Sequence, residues 1–311
     1  MTVSAIPSVS FKAFAADFDG VSHDLGASFA RFGFAVVTDY DLPQARIDAA
    51  LAAAKAFFDL PEAVKRRYVT GLGGQRGYTP FGVETAKGAE HHDLKEFWHV
   101  GRDLPPGHRF ADYMPANIWP DEVAGFRENL SWLFGALDGL GRQVLQAIAA
   151  YLGLERHFFD AIVDDGNSIL RLLHYPPADF DGPHIRAGAH EDINVITLLL
   201  GAEEAGLEVQ DRDGRWLPIN PPPGSLVCNI GDMLQRLTND RLPSTSHRVV
   251  NPAPERRGAA RYSMPFFLHF DSDYVIRSLP SCVDARHPDR YPAPITADEF
   301  LQERLREIKL T

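Results

Sequence analysis

The segment AHEDINVITLLL sets a histidine, His190, two residues before an aspartate, Asp192, in a run that reads as a β-strand. Residues i and i+2 of a strand project from one face, so an imidazole and a carboxylate are expected side by side. A third donor is available in STSHRVV, where His247 sits on a second predicted strand. Two neutral imidazoles and one hard anionic oxygen on one side of a cation leave its opposite positions open. That donor set suits Fe(II), whose open positions take oxygen and a chelating cosubstrate together. Each piece is ordinary by itself, because HxD pairs arise by chance and the chain has 12 histidines to offer as third donor. The combination gains weight from RYS further on, where Arg261 and Ser263 again lie two apart. A guanidinium fork beside a hydroxyl holds a carboxylate in a bidentate geometry that lysine does not reproduce. A surface arginine and a turn serine are the plain alternative. Against it, MPFFLHF follows at once and marks the strand as buried, where a guanidinium needs an anion.

Positioning such donors requires a rigid β framework, and from Ser168 the chain supplies one. Short apolar runs alternate with Gly, Pro and Asp turns, and DRDG at 211–214 is a hairpin signal between two of them. Six or more such strands without intervening helices predict an antiparallel sandwich or jelly roll. Ahead of it, helices are predicted over 22–32, 43–58, 60–68 and 121–154, with a short buried strand from Gly33 and loops and short strands over 71–110. Near the end, Thr296 with Glu299 three residues on forms a capping-box pattern ahead of an amphipathic helix. The expected fold class is α+β, mainly β, with a double-stranded β-helix (jelly-roll) core flanked by N-terminal helices and a C-terminal helix. The expected organisation is a helical and mixed region over 1–165 packing on the barrel, the jelly-roll core over 166–275, and a C-terminal extension with a helix over 276–311.

Composition narrows the partners. A formal net charge of -11 repels phosphate backbones and anionic lipid, so neither a nucleic-acid nor a membrane partner is expected. The first residues lack the basic and apolar regions of a secretory signal, and no run of ~18 apolar residues suggests a membrane span. The chain has 2 cysteines, Cys228 and Cys282, read as buried thiols of a reducing compartment, which points to the cytoplasm.

Taken together, HED, NIGDMLQRLTND, STSHRVVNP and RYS resemble, in order and approximate spacing, the isopenicillin N synthase-like family of Fe(II)- and 2-oxoglutarate-dependent oxygenases. IPSVSF, RFGFAVVTDY, LPEAVKRRY and DLKEFWHVG extend the resemblance over nearly the whole chain. It implies that His190, Asp192 and His247 are iron ligands, and that Arg261 and Ser263, helped by Tyr175, bind the distal carboxylate of 2-oxoglutarate. It also implies an oxidative decarboxylation to succinate and carbon dioxide, with O2 as oxidant. A resulting Fe(IV)-oxo then hydroxylates, desaturates or cyclises a small organic substrate. The chain departs from the family at Leu173, where an asparagine is common, and in ERRGAA, which lengthens the step from His247 to Arg261. Arg256 and Arg257 are nearby alternatives to Arg261, but neither has a hydroxyl two residues on.

For the substrate side, family position points to Arg171, Trp98 and Phe267, with Tyr78 on a glycine-rich loop. Arg171 would favour an acidic substrate or simply pair with a surface acid; Trp98 and Phe267 could equally be core. His91 and His92 are not expected to bind a second metal, and His99, His174 and His184 are expected to be structural or solvated. Two other readings stay open, namely a 2-oxoglutarate-independent oxidase of the isopenicillin N synthase type and a non-catalytic jelly-roll binding protein.

Overall fold

The computed structural model describes residues 6–71, 75–83, 93–177, 186–201, 206–252 and 258–307. The chain opens with β1 (Ser8–Ser10), α1 (Phe18–Phe32), β2 (Phe34–Thr38), α2 (Gln44–Phe58) and the single-turn α3 (Glu62–Lys65). β3 (Gly77–Thr79) and β4 (Glu96–Gly101) precede the long α4 (Phe126–Tyr151). Then come β5 (Ile169–Tyr175), β6 (Ala187–His190), β7 (Ile196–Leu200), β8 (Leu207–Gln210), β9 (Trp216–Pro218) and β10 (Leu226–Ile230). α5 (Asp232–Leu237), β11 (His247–Val249), β12 (Arg261–Leu268), β13 (Val275–Ile276), β14 (Ile295–Thr296) and α6 (Ala297–Glu307) complete the order.

Local chemistry explains several boundaries. α1 starts at Phe18, ahead of the expected residue, because the Asp17 carboxylate accepts from the Gly20 N–H (3.1 Å) and caps it. Gly33 ends it in the left-handed region (φ 70°) and lets the chain turn straight into β2. A Cβ there would sit 2.2 Å from Thr245 Oγ1, so both conformation and space demand glycine. α4 starts at Phe126, later than expected, after a left-handed Gly125. The capping box forms at α6: the Glu299 N–H donates to Thr296 Oγ1 (3.2 Å) and the Thr296 N–H to Glu299 Oε2 (3.0 Å). β8 and β9 make the predicted hairpin, with Gln210 opposite Trp216.

Two sheets form the jelly roll. The larger has eight strands in the order β1-β2-β10-β7-β12-β5-β4-β3, and the smaller has four, β6-β11-β8-β9. The N-terminal region does more than pack on this barrel, because β1 to β4 all belong to the larger sheet. β2 lies antiparallel to β10 and β4 antiparallel to β5, so both outer parts of the sheet are built from it.

Period-two alternation assigns each side chain of the larger sheet to one of two environments. Leu170, Leu172, Met264, Phe266 and Leu268 face outward and share the main core with α4 residues Leu133, Leu137, Val144 and Ile148. The Phe134 and Phe266 rings meet edge-on at 5.0 Å. The alternate residues face the barrel interior: Arg261, Ser263 and Phe267 on β12, Arg171, Leu173 and Tyr175 on β5, and Phe97 and His99 on β4. Phe34, Val36, Ala187, Val209 and Val249 form a separate cluster between the two sheets. Cys228 and Cys282 are both buried and free. Among the described residues, no helix is long and apolar enough to cross a membrane.

Candidate metal centre and its cavity

β6 ends on His190 and β11 begins on His247, and the antiparallel register sets the two directly opposite each other. Asp192 is not on the strand, as the HxD spacing suggested, but in the irregular segment that follows β6. It nevertheless meets both histidines, with Oδ1 3.8 Å from His190 Nε2 and 3.8 Å from His247 Nε2. The three donor atoms lie within 4.8 Å of one another, close enough to share one ion.

The surroundings fix which atoms are left for that ion. His190 Nδ1 lies 2.7 Å from the Gly188 carbonyl and His247 Nδ1 3.1 Å from the Thr245 carbonyl. A carbonyl only accepts, so Nδ1 carries the proton in each ring and the Nε2 lone pair faces the shared point. On Asp192, Oδ2 accepts from Thr197 Oγ1 (2.6 Å) and from Asn229 Nδ2 (2.7 Å), leaving Oδ1 toward the imidazoles. Burial pushes the Asp192 carboxyl up, but the two histidines and these two donors outweigh it and hold it ionised, below the usual carboxylate range. Burial, reinforced by the neighbouring His247, lowers His190 to about 4 and keeps it neutral. Neutral imidazole and ionised carboxylate are the forms that ligate a metal.

Across the barrel, Arg261 stands opposite Tyr175 and Ser263 opposite Leu173 in the β12–β5 register. Arg261 is 1% exposed, donates Nη1 to Ser263 Oγ (3.1 Å), and lies 5.2 Å from the centre of the Tyr175 ring. Its Nε has no acceptor, and no carboxylate pairs with it among the described residues. A buried guanidinium lacking an anion is costly, which fits a place built to receive one. Leu173 packs with Phe97 and Tyr175, so an apolar patch stands where the family often has an amide.

His190 and Asp192 open on a cavity of about 900 Å³ that is also lined by Phe97, His99, Arg171 and Phe267. α6 closes part of it with Leu301 and Leu305.

A model of the 2OG-Fe(II) oxygenase superfamily matches residues 166–270, and one described as the non-haem dioxygenase in morphine synthesis N-terminal matches 6–122. The 2-oxoglutarate-Fe(II) type oxidoreductase hxnY of Emericella nidulans is 35% identical over 284 residues, 87% of this chain and 79% of that protein. The chain belongs to the 2OG-Fe(II) oxygenase superfamily. A solved 2OG-Fe(II) oxygenase family protein from Caulobacter crescentus has a TM-score of 0.93 and 67% identity, over 98% of this chain and 100% of that one. A full-length Neurospora crassa protein, solved in complex with alpha-KG and thymine, has a TM-score of 0.85 and 28% identity, over 97% of this chain and 96% of that one. This oxygenase is therefore an oxidoreductase that uses Fe(II), 2-oxoglutarate and O2 on a small molecule, and its core is the expected jelly roll. These relatives support dependence on 2-oxoglutarate, not the cosubstrate-independent oxidase or the non-catalytic binding protein.

Of the residues expected in the substrate space, Arg171 and Phe267 line the oxygenase cavity, whereas Trp98 does not. Trp98 is fully buried on the helix-facing side of β4, with its ring 4.6 Å from Phe57 and 5.2 Å from Phe126. The reason is parity: Phe97 and His99, one residue to either side, face the interior instead. Tyr78, paired with Trp98, borders the cavity, but its ring packs 5.6 Å from Phe57 and its hydroxyl donates to Glu96 and Glu62. His174 is structural, hydrogen-bonded to Glu96 (2.7 Å) and stacked on Tyr262. His99 was expected to be structural or solvated, yet it faces the cavity. His91, His92, His184, Arg256 and Arg257 lie outside the described residues. The supporting residues Thr197 and Asn229 were not singled out in the sequence, although both lie within the motif segments INVIT and NIGD.

Proposed function

We propose that His190, Asp192 and His247 hold the Fe(II), and that Arg261 and Ser263, beside Tyr175, hold the distal carboxylate of 2-oxoglutarate. The carrying observation is the opposed pair of unfilled demands: three donors aimed at one point, and across the barrel a buried guanidinium with an unpaired Nε. Bound there, iron and cosubstrate supply oxidative decarboxylation and the oxidation of a C–H bond. The protein's own contribution is positional. Gly188 and Thr245 fix the imidazole tautomers, Thr197 and Asn229 aim one carboxylate oxygen, and Arg171 and Phe267 border the space for a small organic substrate. Phe97, Leu173 and Tyr175 make an apolar wall that limits water near the cosubstrate.

The same reading includes a cytoplasmic enzyme without nucleic-acid or membrane partners, supported by the net charge of -11 and two free, buried thiols. Its test is anaerobic addition of Fe(II) and 2-oxoglutarate, followed by visible absorption. The wild type should give a weak metal-to-ligand charge-transfer band and Asp192→Ala should give none. Arg261→Ala should raise the 2-oxoglutarate concentration needed by at least about tenfold, the loss of one charge-assisted hydrogen-bonded contact. An Asp192→Ala protein with a wild-type band, or an Arg261→Ala protein with unchanged cosubstrate affinity, would show the assignment to be wrong.

A further inference from the structure

Arg76 immediately precedes β3 and is among the largest side chains to be almost completely enclosed, at 1% exposure. Its Nη1 donates to the Gln75 carbonyl (2.8 Å), while Nε and Nη2 have no acceptor. No carboxylate pairs with it among the described residues. The acid that influences it through space, Asp103, is exposed and already held by Asn117 (2.7 Å). Burial lowers the guanidinium to about 10, which still leaves it charged at neutral pH. A buried arginine that serves only structure needs a counter-ion, and even the part-buried Arg102 has one in Asp138 at 2.7 Å.

The position of this unbalanced charge is informative. A Cβ on Gly101 would lie 2.0 Å from Arg76 Cζ, so the guanidinium rests on the Gly101 backbone, on the interior face of β4. The preceding interior position of β4 is His99, roughly 7 Å back along the strand. There Arg171, opposite His99 in register, donates Nε to His99 Nε2 (2.6 Å). The Arg171 Cζ lies 4.3 Å from the Phe97 ring centre and 5.3 Å from that of Phe267. Arg76 and Arg171 both line the oxygenase cavity. Three other cations on the wall have acids of their own: Lys95 has Asp93 (2.8 Å), Arg66 has Glu62 (2.8 Å) and Arg304 has Glu307 (2.9 Å). The unmatched charge of Arg76 therefore sits at the β3–β4 end of the cavity, in a low-dielectric setting where it acts strongly on an anion.

We infer that the oxidised substrate is a small carboxylic acid whose carboxylate docks at Arg171, with Arg76 behind it as a further positive charge that sets the preference for an anion. Phe97 and Phe267 then flank the carbon skeleton, and the C–H bond to be oxidised lies toward His190 and Asp192. The inference rests on the active-site assignment above. It is tested with wild type, Arg171→Gln and Arg76→Met, each loaded anaerobically with Fe(II) and 2-oxoglutarate. A panel of small carboxylic acids, each matched with its primary amide, is scored by thermal shift and then, in air, by succinate release above the substrate-free background. The acids should be the compounds that stabilise the enzyme and stimulate turnover, with their amides about tenfold or more weaker. Arg171→Gln should abolish the preference for acid over amide, and Arg76→Met should reduce it several-fold, while both keep the visible band. Ligand-free Arg76→Met should melt no lower than wild type, because an unpaired buried charge has been removed. Amides that match the acids, a panel in which no acid registers, or an unchanged preference in both variants would overturn the inference. A wild type without the visible band would instead remove the metal and cosubstrate assignment beneath it.

Discussion

Asp192 uses its two carboxylate oxygens differently. Oδ2 is taken up by Thr197 and Asn229, and Oδ1 is left facing His190 and His247. Without those donors the carboxylate could rotate and present either oxygen, or both, to the ion. Thr197→Val keeps the shape of the side chain and removes the shorter of the two hydrogen bonds. It should weaken Fe(II) binding by about 10- to 100-fold, as loss of a supporting partner of a metal ligand commonly does. Asn229→Leu should act in the same direction. Titration of the apo protein with Fe(II) under anaerobic conditions, read through the visible band, would measure both, and unchanged affinity in both would show that the two donors do not hold the ligand.

β4 carries chemistry on one face and stability on the other. Its interior side presents Phe97 and His99, and its outer side buries Trp98 against Phe57 and Phe126. Trp98→Ala should therefore cost about 3–5 kcal/mol of stability in chemical denaturation. It should leave any preference between substrates unchanged, and a changed preference with full stability would contradict this placement. Two residues earlier, Glu96 joins three elements by accepting from Lys65 of α3 (2.7 Å), from Tyr78 of β3 and from His174 of β5 (2.7 Å). Burial pushes the Glu96 carboxyl up, but the hydrogen bonds from His174, Lys65 and Tyr78 outweigh it and hold the pKa below its ordinary 4.5. A depressed acid contributes stability that is present above the ordinary value and is lost as the pH falls below it. Glu96→Gln should cost about 3 kcal/mol at pH 7, the lower end for breaking a buried ion pair. The difference from wild type should shrink as the pH is taken below about 4.5. Urea unfolding at neutral and acid pH would check this; a difference independent of pH would argue against the ionised network.

At the scale of the molecule, the strands that precede residue 165 are part of the sheet that carries Arg261 and Ser263. β2 covers the edge of β10, whose five residues are all buried. Removal of residues 1–40 would expose that apolar edge, and exposed edges of this kind pair with other chains. The truncated protein should aggregate or elute in the void volume in size-exclusion chromatography. A soluble, iron-binding fragment would instead show that the later strands fold as an independent unit. α6 makes a further long-range contribution, since Leu301 and Leu305 from the far end of the sequence line the same cavity as His190 and Asp192.

The donors were legible in the sequence because their spacing is local or motif-borne. RYS lies on a strand where parity alone puts Arg261 and Ser263 on one face, and STSHRVV and HED bracket strands that the register then aligns. The helices over 43–58 and near the C-terminus were legible for the same reason, as Gln44–Phe58 and the Thr296–Glu299 box show. What the sequence could not decide is which face of a fully buried strand looks inward. Every residue of β4 from Glu96 to Gly101 is buried, so no polar–apolar alternation separates Trp98 from Phe97 and His99. Only the pairing of β4 with β5, and the helices packed on the other side, resolve that choice. The same holds for Arg76 and Arg171, far apart along the chain, which one strand of the folded sheet brings to neighbouring positions.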